Sequence, residues 1–287
     1  IFCPVNYYFM PNTSLNPDAA PRRALRTLAK PLDVGKMMQQ KSKWQTKELS
    51  DVYLDGVRGA IPGADMQLEV IGKVADRWCN TPKRILDLGC GNGILGRFLL
   101  TRFPWASGLF VDFSDPMLDA ALQNTKSLDN VSVIKADFSS PQWINVAKLH
   151  EPFDMVVSGF SIHHQSDKRK KELYAEILEL LIPGGVFLNL EHVASKTAAG
   201  EKLFCEFFVD HLHAFHVKTA PNANREDIAD EYYNRPDKKE NILASVDDQC
   251  QWLREIGFAD VDCFFKVFEL ALFGGRKTSN KTNAADG

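Results

Sequence analysis

The run Ile85-Leu86-Asp87-Leu88-Gly89-Cys90-Gly91-Asn92-Gly93 constrains this chain more than any other stretch of it. A short apolar strand carries a carboxylate near its end, three alternate glycines follow, and a helical pattern over Ile94–Phe103 begins at once and stops at Pro104. A Cβ atom obstructs positive φ and keeps a bulky ligand off the backbone, so alternating glycines mark a turn against which a ligand lies. The N–H groups at the helix start have no intrahelical partner and favour an anionic ligand group.

Read literally, Gly91-Asn92-Gly93-Ile94-Leu95-Gly96 also fits the dinucleotide pattern GxGxxG, with Asp112 nineteen residues past Gly93. A nicotinamide enzyme is therefore a rival on spacing alone. Two features count against it: Asp87 precedes the glycines, where an incoming cationic ligand would need it, and the chain closes on two adjacent β segments.

From Arg84 onward, strand and helix patterns alternate. Ser107–Val111, Val131–Lys135, Phe153–Val157 and Val186–Leu190 read as strands. Asp115-Pro116 reads as an N-cap followed by a first-turn proline. The amphipathic helix Lys168–Leu181 ends at Pro183-Gly184-Gly185, and Asp247–Ile256 ends at a C′ glycine, Gly257. The β segments Val261–Val267 and Phe268–Phe273 come last. Such alternation predicts a parallel sheet covered by helices on both faces.

Upstream, Pro62-Gly63 marks a turn, and Met66, Val70, Ile71 and Val74 recur at helical spacing up to Trp78. A further helical pattern lies around Trp44–Leu54. Between Arg22 and Lys47 eight basic residues face a single acid, Asp33, which reads first as a solvated arm and second as a nucleic-acid contact or targeting remnant. The remainder is ordinary. A length of 287 residues, 45% hydrophobic and 25% charged, excludes a disordered chain, a collagen and a disulfide scaffold. A net charge of −3 gives no general attraction to polyanions. The six cysteines have no zinc spacing and read as reduced thiols of a cytoplasmic protein. Apolar runs are strand-sized, so no membrane-spanning helix is expected, and Ile1–Met10 lacks the basic lead of a signal peptide.

Leu86-Asp87-Leu88-Gly89-Cys90-Gly91-Asn92-Gly93 resembles the first motif of class I S-adenosylmethionine-dependent methyltransferases, and further motifs fall in order between about Pro62 and Lys277. Phe110-Val111-Asp112 resembles the second strand, whose acid holds the ribose hydroxyls. Lys135-Ala136-Asp137-Phe138 is similar to the adenine-flanking motif, Phe153–Ser158 to the fourth strand, Leu181–Gly185 to the turn before strand five, and Ile256-Gly257-Phe258 to the approach to the last hairpin. The resemblance implies an α/β, Rossmann-like, doubly wound, mostly parallel seven-stranded sheet with an antiparallel last strand, N-terminal helices and a helical lid insertion. It implies S-adenosylmethionine as cofactor, S-adenosylhomocysteine as product, and a cofactor site of Asp87, Gly89, Cys90, Gly91, Gly93, Asp112, Phe113, Met117, Asp137, Phe138 and Ser158. The chemistry agrees: Asp112 can accept from a cis diol and Asp137 from an amine.

The expected division is an arm with cap helices over 1–61, a cofactor-binding core over 62–193, a lid over 194–246, the C-terminal helix and hairpin of the core over 247–275, and a tail over 276–287. In the lid, Leu203, Phe207 and His211 share one helical stripe, so His211 is expected toward the pocket, with Phe204, Phe208, Leu212 and Phe215 beside it. These aromatics read as core before cage. Methyl transfer to a hydroxyl or ammonium needs a proton acceptor. His163 and His164 after strand four, and Glu191 and His192 after strand five, are the candidates. No acid-rich set accompanies the histidines, so no metal is expected.

The expected function is methyl transfer to an O, N or S atom of a small-molecule acceptor, without a membrane or nucleic-acid partner; a homodimer is one option for assembly. Two alternatives stay open. Ile61-Pro62-Gly63, with Glu191 and Gly200-Glu201-Lys202-Leu203-Phe204, is similar to the carboxy-S-adenosylmethionine synthase family of tRNA modification, in which an arginine of the insertion grips the new carboxylate; Arg225 or Arg235 stands ready for that. Ala64 stands where that family has an aromatic. The other alternative is a non-catalytic cofactor-binding protein.

Overall fold

A computed structural model describes residues 57–279. The basic arm, the Trp44–Leu54 pattern, Ile1–Met10 and most of the tail lie outside the described residues.

Seven strands form one sheet in the order β3-β2-β1-β4-β5-β7-β6. They are β1 (Arg84–Leu88), β2 (Ser107–Asp112), β3 (Val131–Lys135), β4 (Phe153–Gly159), β5 (Leu181–His192), β6 (Phe258–Val267) and β7 (Leu270–Lys277). The first five run parallel, and β7 runs antiparallel to both β5 and β6, as expected. Alternate side chains of the central strands enter two different cores. Ile85, Phe110, Met155, Val157 and Leu188 go to one face, and Leu86, Leu109, Val111, Val156 and Phe187 go to the other. Burial on both faces is why these strands read as unbroken apolar runs.

The helices are α1 (Ala64–Trp78), α2 (Ile94–Arg102), α3 (Asp115–Thr125), α4 (Trp143–Lys148), α5 (Asp167–Leu180), α6 (Ala198–His216), α7 (Arg225–Asn234) and α8 (Val246–Ile256). Their caps follow local chemistry. Ser166, Thr197, Asn224 and Ser245 accept backbone N–H bonds at the starts of α5, α6, α7 and α8, and Gly257 ends α8 at φ 113°. Ser114, not Asp115, is the N-cap of α3, one residue earlier than expected. In α1 the inward face carries Gln67, Ile71, Gly72 and Ala75, while Met66 is 57% exposed.

The segment 194–246 supplies α6, α7 and a 3-10 turn, Pro236–Glu240. Phe204, Phe208 and Leu212 enter the same core as Leu190, Leu270 and Ile61, so the helices after β5 extend the sheet's own core. The outer stripe is the one that was expected inward: Leu203 is 55% exposed. Strand order reverses beside β1 and β4, the position where open α/β sheets leave a crevice at their carboxyl ends.

Candidate active site

A cavity of about 480 Å³ lies at that crevice, within the usual size of small-ligand sites. The loop after β1 contributes Gly89 and Gly91, the end of β2 contributes Asp112, Phe113 and Ser114, and α3 contributes Met117. Asp137, Phe138 and Ser139 follow from the end of β3.

The glycines have local causes. Gly89, Gly91 and Gly93 all have positive φ, at 67°, 53° and 79°, a region that costs L side chains about 1–2 kcal/mol. A Cβ on Gly89 would stand 2.2 Å from Ser161 Oγ, so the loop leans on a side chain there as well as on the cavity. Gly93 caps α2 without lining the cavity, and Gly93, Gly96 and Gly108 all make room for the Phe110 ring. Gly96 therefore serves helix–sheet packing, and the third glycine of the literal GxGxxG needs no dinucleotide to explain it.

Asp112 is 6% exposed. Its Oδ2 accepts from the Gly91 N–H and its Oδ1 from the Ser114 N–H, both at 2.9 Å. Burial pushes its carboxyl above the ordinary range, and those N–H donors pull it back. Asp137 lies on the exposed rim, its Oδ1 accepting from the Ser139 N–H at 2.8 Å. Asp87 sits beneath the loop: its Oδ2 accepts from the Gly96 N–H at 2.8 Å, and burial first of all raises its pKa to about 7. Asp87 and Cys90 border a smaller space of about 20 Å³ that shares Gly89, Gly91, Gly159 and Phe160 with the main cavity. Ser158 does not reach the cavity. It is fully buried, donates to the Leu88 carbonyl at 2.8 Å and meets Ser161 Oγ at 2.9 Å, and Ser161 lines the wall in its place.

His163, Glu191 and His192 also lie behind the wall, contrary to the expectation of an acceptor-facing set. His163 Nδ1 is 2.6 Å from Glu191 Oε2, while Glu191 Oε1 accepts from the Ile162 and His163 N–H groups. His192 Nε2 is 2.8 Å from Glu269. The reason is the strand pleat and the short Ile162–His164 turn, which send these side chains into the protein. His164 is the histidine on the wall. Its Nδ1 lies 3.2 Å from the Glu240 carbonyl, and since a carbonyl can only accept, the neutral ring holds its proton at Nδ1 and its lone pair at Nε2. Burial holds this imidazole well below the ordinary histidine range.

Phe160, Ser161, His164 and Gln165 form one side of the cavity, and Lys239, Glu240 and Ile242 form its end. Of these, sequence reasoning offered only His164, as one of the paired histidines after strand four. The His163-His164 pair was a signal for the first group; nothing local marks the second. His211 makes its contact at the Phe207 carbonyl, 3.0 Å away, and the lid aromatics do not line the cavity. Among the described residues, no group of three or more His, Cys, Asp or Glu side chains is placed to hold a metal ion, and no helix is long and apolar enough to cross a membrane.

Residues 85–185 match a family model described as a methyltransferase domain. The carboxy-S-adenosyl-L-methionine synthase of Aeromonas hydrophila is 24% identical over 81% of this chain and 90% of its own length. The malonyl-[acyl-carrier protein] O-methyltransferase of Halalkalibacterium halodurans is 34% identical over 37% of this chain and 38% of that protein. An O-methyltransferase family protein from Burkholderia thailandensis shares the fold with a TM-score of 0.57 at 15% identity, over 82% of this chain and 61% of that one. Human N-acetylserotonin methyltransferase, solved in complex with S-adenosylmethionine, does so at 0.55 and 14%, over 82% and 58%. This chain thus spans less than two thirds of the length of those solved chains.

Proposed function

We propose, on the premise that this chain belongs to the class I S-adenosylmethionine-dependent methyltransferase family, that it moves a methyl group to an O, N or S atom of a small-molecule acceptor. The observation that carries the reading is the pairing of two walls. Asp112 and Asp137 stand at the ends of neighbouring strands on one side, and Ser161, His164 and Gln165 stand across the same cavity.

The donor set fits the cofactor. The cavity-lining carboxylate of Asp112 suits a ribose diol, Asp137 an adenine amine, and Phe113, Met117 and Phe138 a flat apolar base. Asp87 and the Gly89–Gly93 loop would hold the methionine end. S-adenosylmethionine supplies, when bound, an electrophilic methyl group open to in-line displacement. The protein's share is to seat the acceptor and take its proton. His164, on that wall, is the candidate to take it, while His163, Glu191 and His192 keep the wall in place. Residues 194–246 act as the lid over a core of 62–193 and 247–275.

Native mass spectrometry of the purified protein, then calorimetry with S-adenosylmethionine and S-adenosylhomocysteine, tests the proposal. Copurified S-adenosylhomocysteine or micromolar affinity for either supports it. Binding of a nicotinamide dinucleotide in place of both would sink it.

A second reading rests on the Aeromonas hydrophila synthase, which this chain matches over 90% of that protein's length. Arg235 would then grip a carboxylated cofactor. Arg235 is 8% exposed, stacks on Tyr232 at 4.4 Å, and its charge helps to hold His192 down; Arg225 instead pairs with Asp210 at the surface. A copurified ligand heavier than S-adenosylmethionine by a carboxylate would favour this reading.

A further inference from the structure

Residues Lys239–Ile242 close one end of the cavity, yet little apolar packing holds them there. Lys239 is exposed, and Ile242 is 44% exposed. Polar links do the holding. The Ile242 N–H donates to the His163 carbonyl at 2.9 Å, His164 Nδ1 donates to the Glu240 carbonyl, and Lys170 Nζ donates to the Ile242 carbonyl. Just beyond, the Ala194 N–H and Gln249 Nε2 both donate to the Ala244 carbonyl.

Lys170 is the unexpected member of this set. Its side chain is fully buried in the first turns of α5, with Asp167 Oδ1 at 2.8 Å as its other partner. Burying an ammonium is costly unless its protons are accepted, and a cation near a helix N-terminus is opposed by the helix dipole. The i,i+3 pair with Asp167 and the nearby buried Glu191 answer part of the Lys170 charge, and its remaining contact is to the cavity wall. Its neighbour Arg169 acts in parallel, donating from Nε to the carbonyl of Phe138, another wall residue, at 2.9 Å. The start of α5 thus grips two separate stretches of the cavity wall by their backbone.

We propose that Lys170 is a positioning residue: through the Ile242 carbonyl it fixes Lys239–Ile242 as the acceptor-end wall and so sets how an acceptor is admitted and seated beside His164. The nature of the cavity's occupants rests on the proposed function; the latch itself does not.

Hydrogen exchange read by mass spectrometry on the full chain, with and without S-adenosylhomocysteine, tests it. In Lys170→Met, exchange over residues 238–244 should rise about tenfold or more, the loss of a charged hydrogen bond, while peptides from β1 and β4 keep the parent rates. Asp167→Asn removes the half-exposed partner and should raise it about threefold. S-adenosylhomocysteine should leave Lys170→Met about fivefold faster with its association rate unchanged, a split that general destabilisation would not produce. Parent-like exchange over 238–244 in both variants, or full exchange there already in the parent chain, overturns the proposal. Should Lys170→Met not fold, Asp167→Asn decides by the same criterion. If S-adenosylhomocysteine fails to bind the parent, the proposed function falls, and the ligand-free exchange alone upholds or overturns the latch.

Discussion

His163 Nδ1 and Glu191 Oε2 stand 2.6 Å apart, both side chains sealed from solvent behind the cavity wall. The same carboxylate also takes the N–H groups of Ile162, His163 and His192. A single side chain thereby ties the end of β5 to the turn after β4. Burial raises the glutamate and lowers the histidine, each away from its charged form.

Glu191→Ala strands those N–H donors and the buried imidazole. It should cost about 3–5 kcal/mol of stability, at about 1–3 kcal/mol for each stranded group, and Glu191→Gln, which keeps an acceptor oxygen, about 1–2 kcal/mol. Urea unfolding followed by circular dichroism measures both. A Glu191→Ala chain as stable as the parent would remove the anchoring role.

Gly89→Ala meets two obstacles, a φ of 67° and Ser161 Oγ at 2.2 Å from the new Cβ. S-adenosylhomocysteine affinity should fall about tenfold or more. Adding Ser161→Gly should recover part of the loss, because it restores the space and leaves the φ penalty. Titration calorimetry on the three variants decides this, and a double variant no better than Gly89→Ala counts against the packing explanation.

Asp112 and Asp137 should differ in weight although their proposed roles are parallel. Asp112 is buried and also braces the loop through Gly91, so Asp112→Asn is expected to weaken S-adenosylhomocysteine about tenfold to a hundredfold. Asp137 stands on the water-exposed rim, where Asp137→Asn should cost about threefold. Equal losses in calorimetry would contradict the assignment.

Asp87 makes stability depend on pH in a definite direction. Its folded pKa is about 7, against 3.8 as the ordinary value, so between those limits the folded state binds more protons than the unfolded one. Stability from this group is complete below pH 3.8 and is lost as pH rises toward 7. Asp87→Asn removes that loss and can keep an acceptor for the Gly96 N–H. Its melting temperature should therefore gain on the parent between about pH 5 and pH 7, the upper part of that window. A constant difference across the series would show that Asp87 does not titrate in the fold.

Much of the architecture was readable without coordinates. The apolar runs of β1, β2, β4 and β5, the C′ glycine Gly257, and the acids closing successive strands are local features. Each is written in adjacent residues because steric limits on φ, capping hydrogen bonds and burial on both sheet faces act over a few positions. Even the glycine loop was found for a reason that proved incomplete, since Ser161 and Phe110 crowd it as much as any ligand would.

What the sequence by itself determined is therefore the order of strands and helices and the sheet edge where chemistry gathers. Tertiary structure alone decided which polar groups at that edge face the cavity. Ser161 does and Ser158 does not; His164 does and His163 does not. A three-residue turn has no period from which a facing side could be read, and the wall against His164 comes from Glu240, 76 residues along the chain. Contacts that distant are set by how the helices after β5 settle on the core, and no local pattern encodes them.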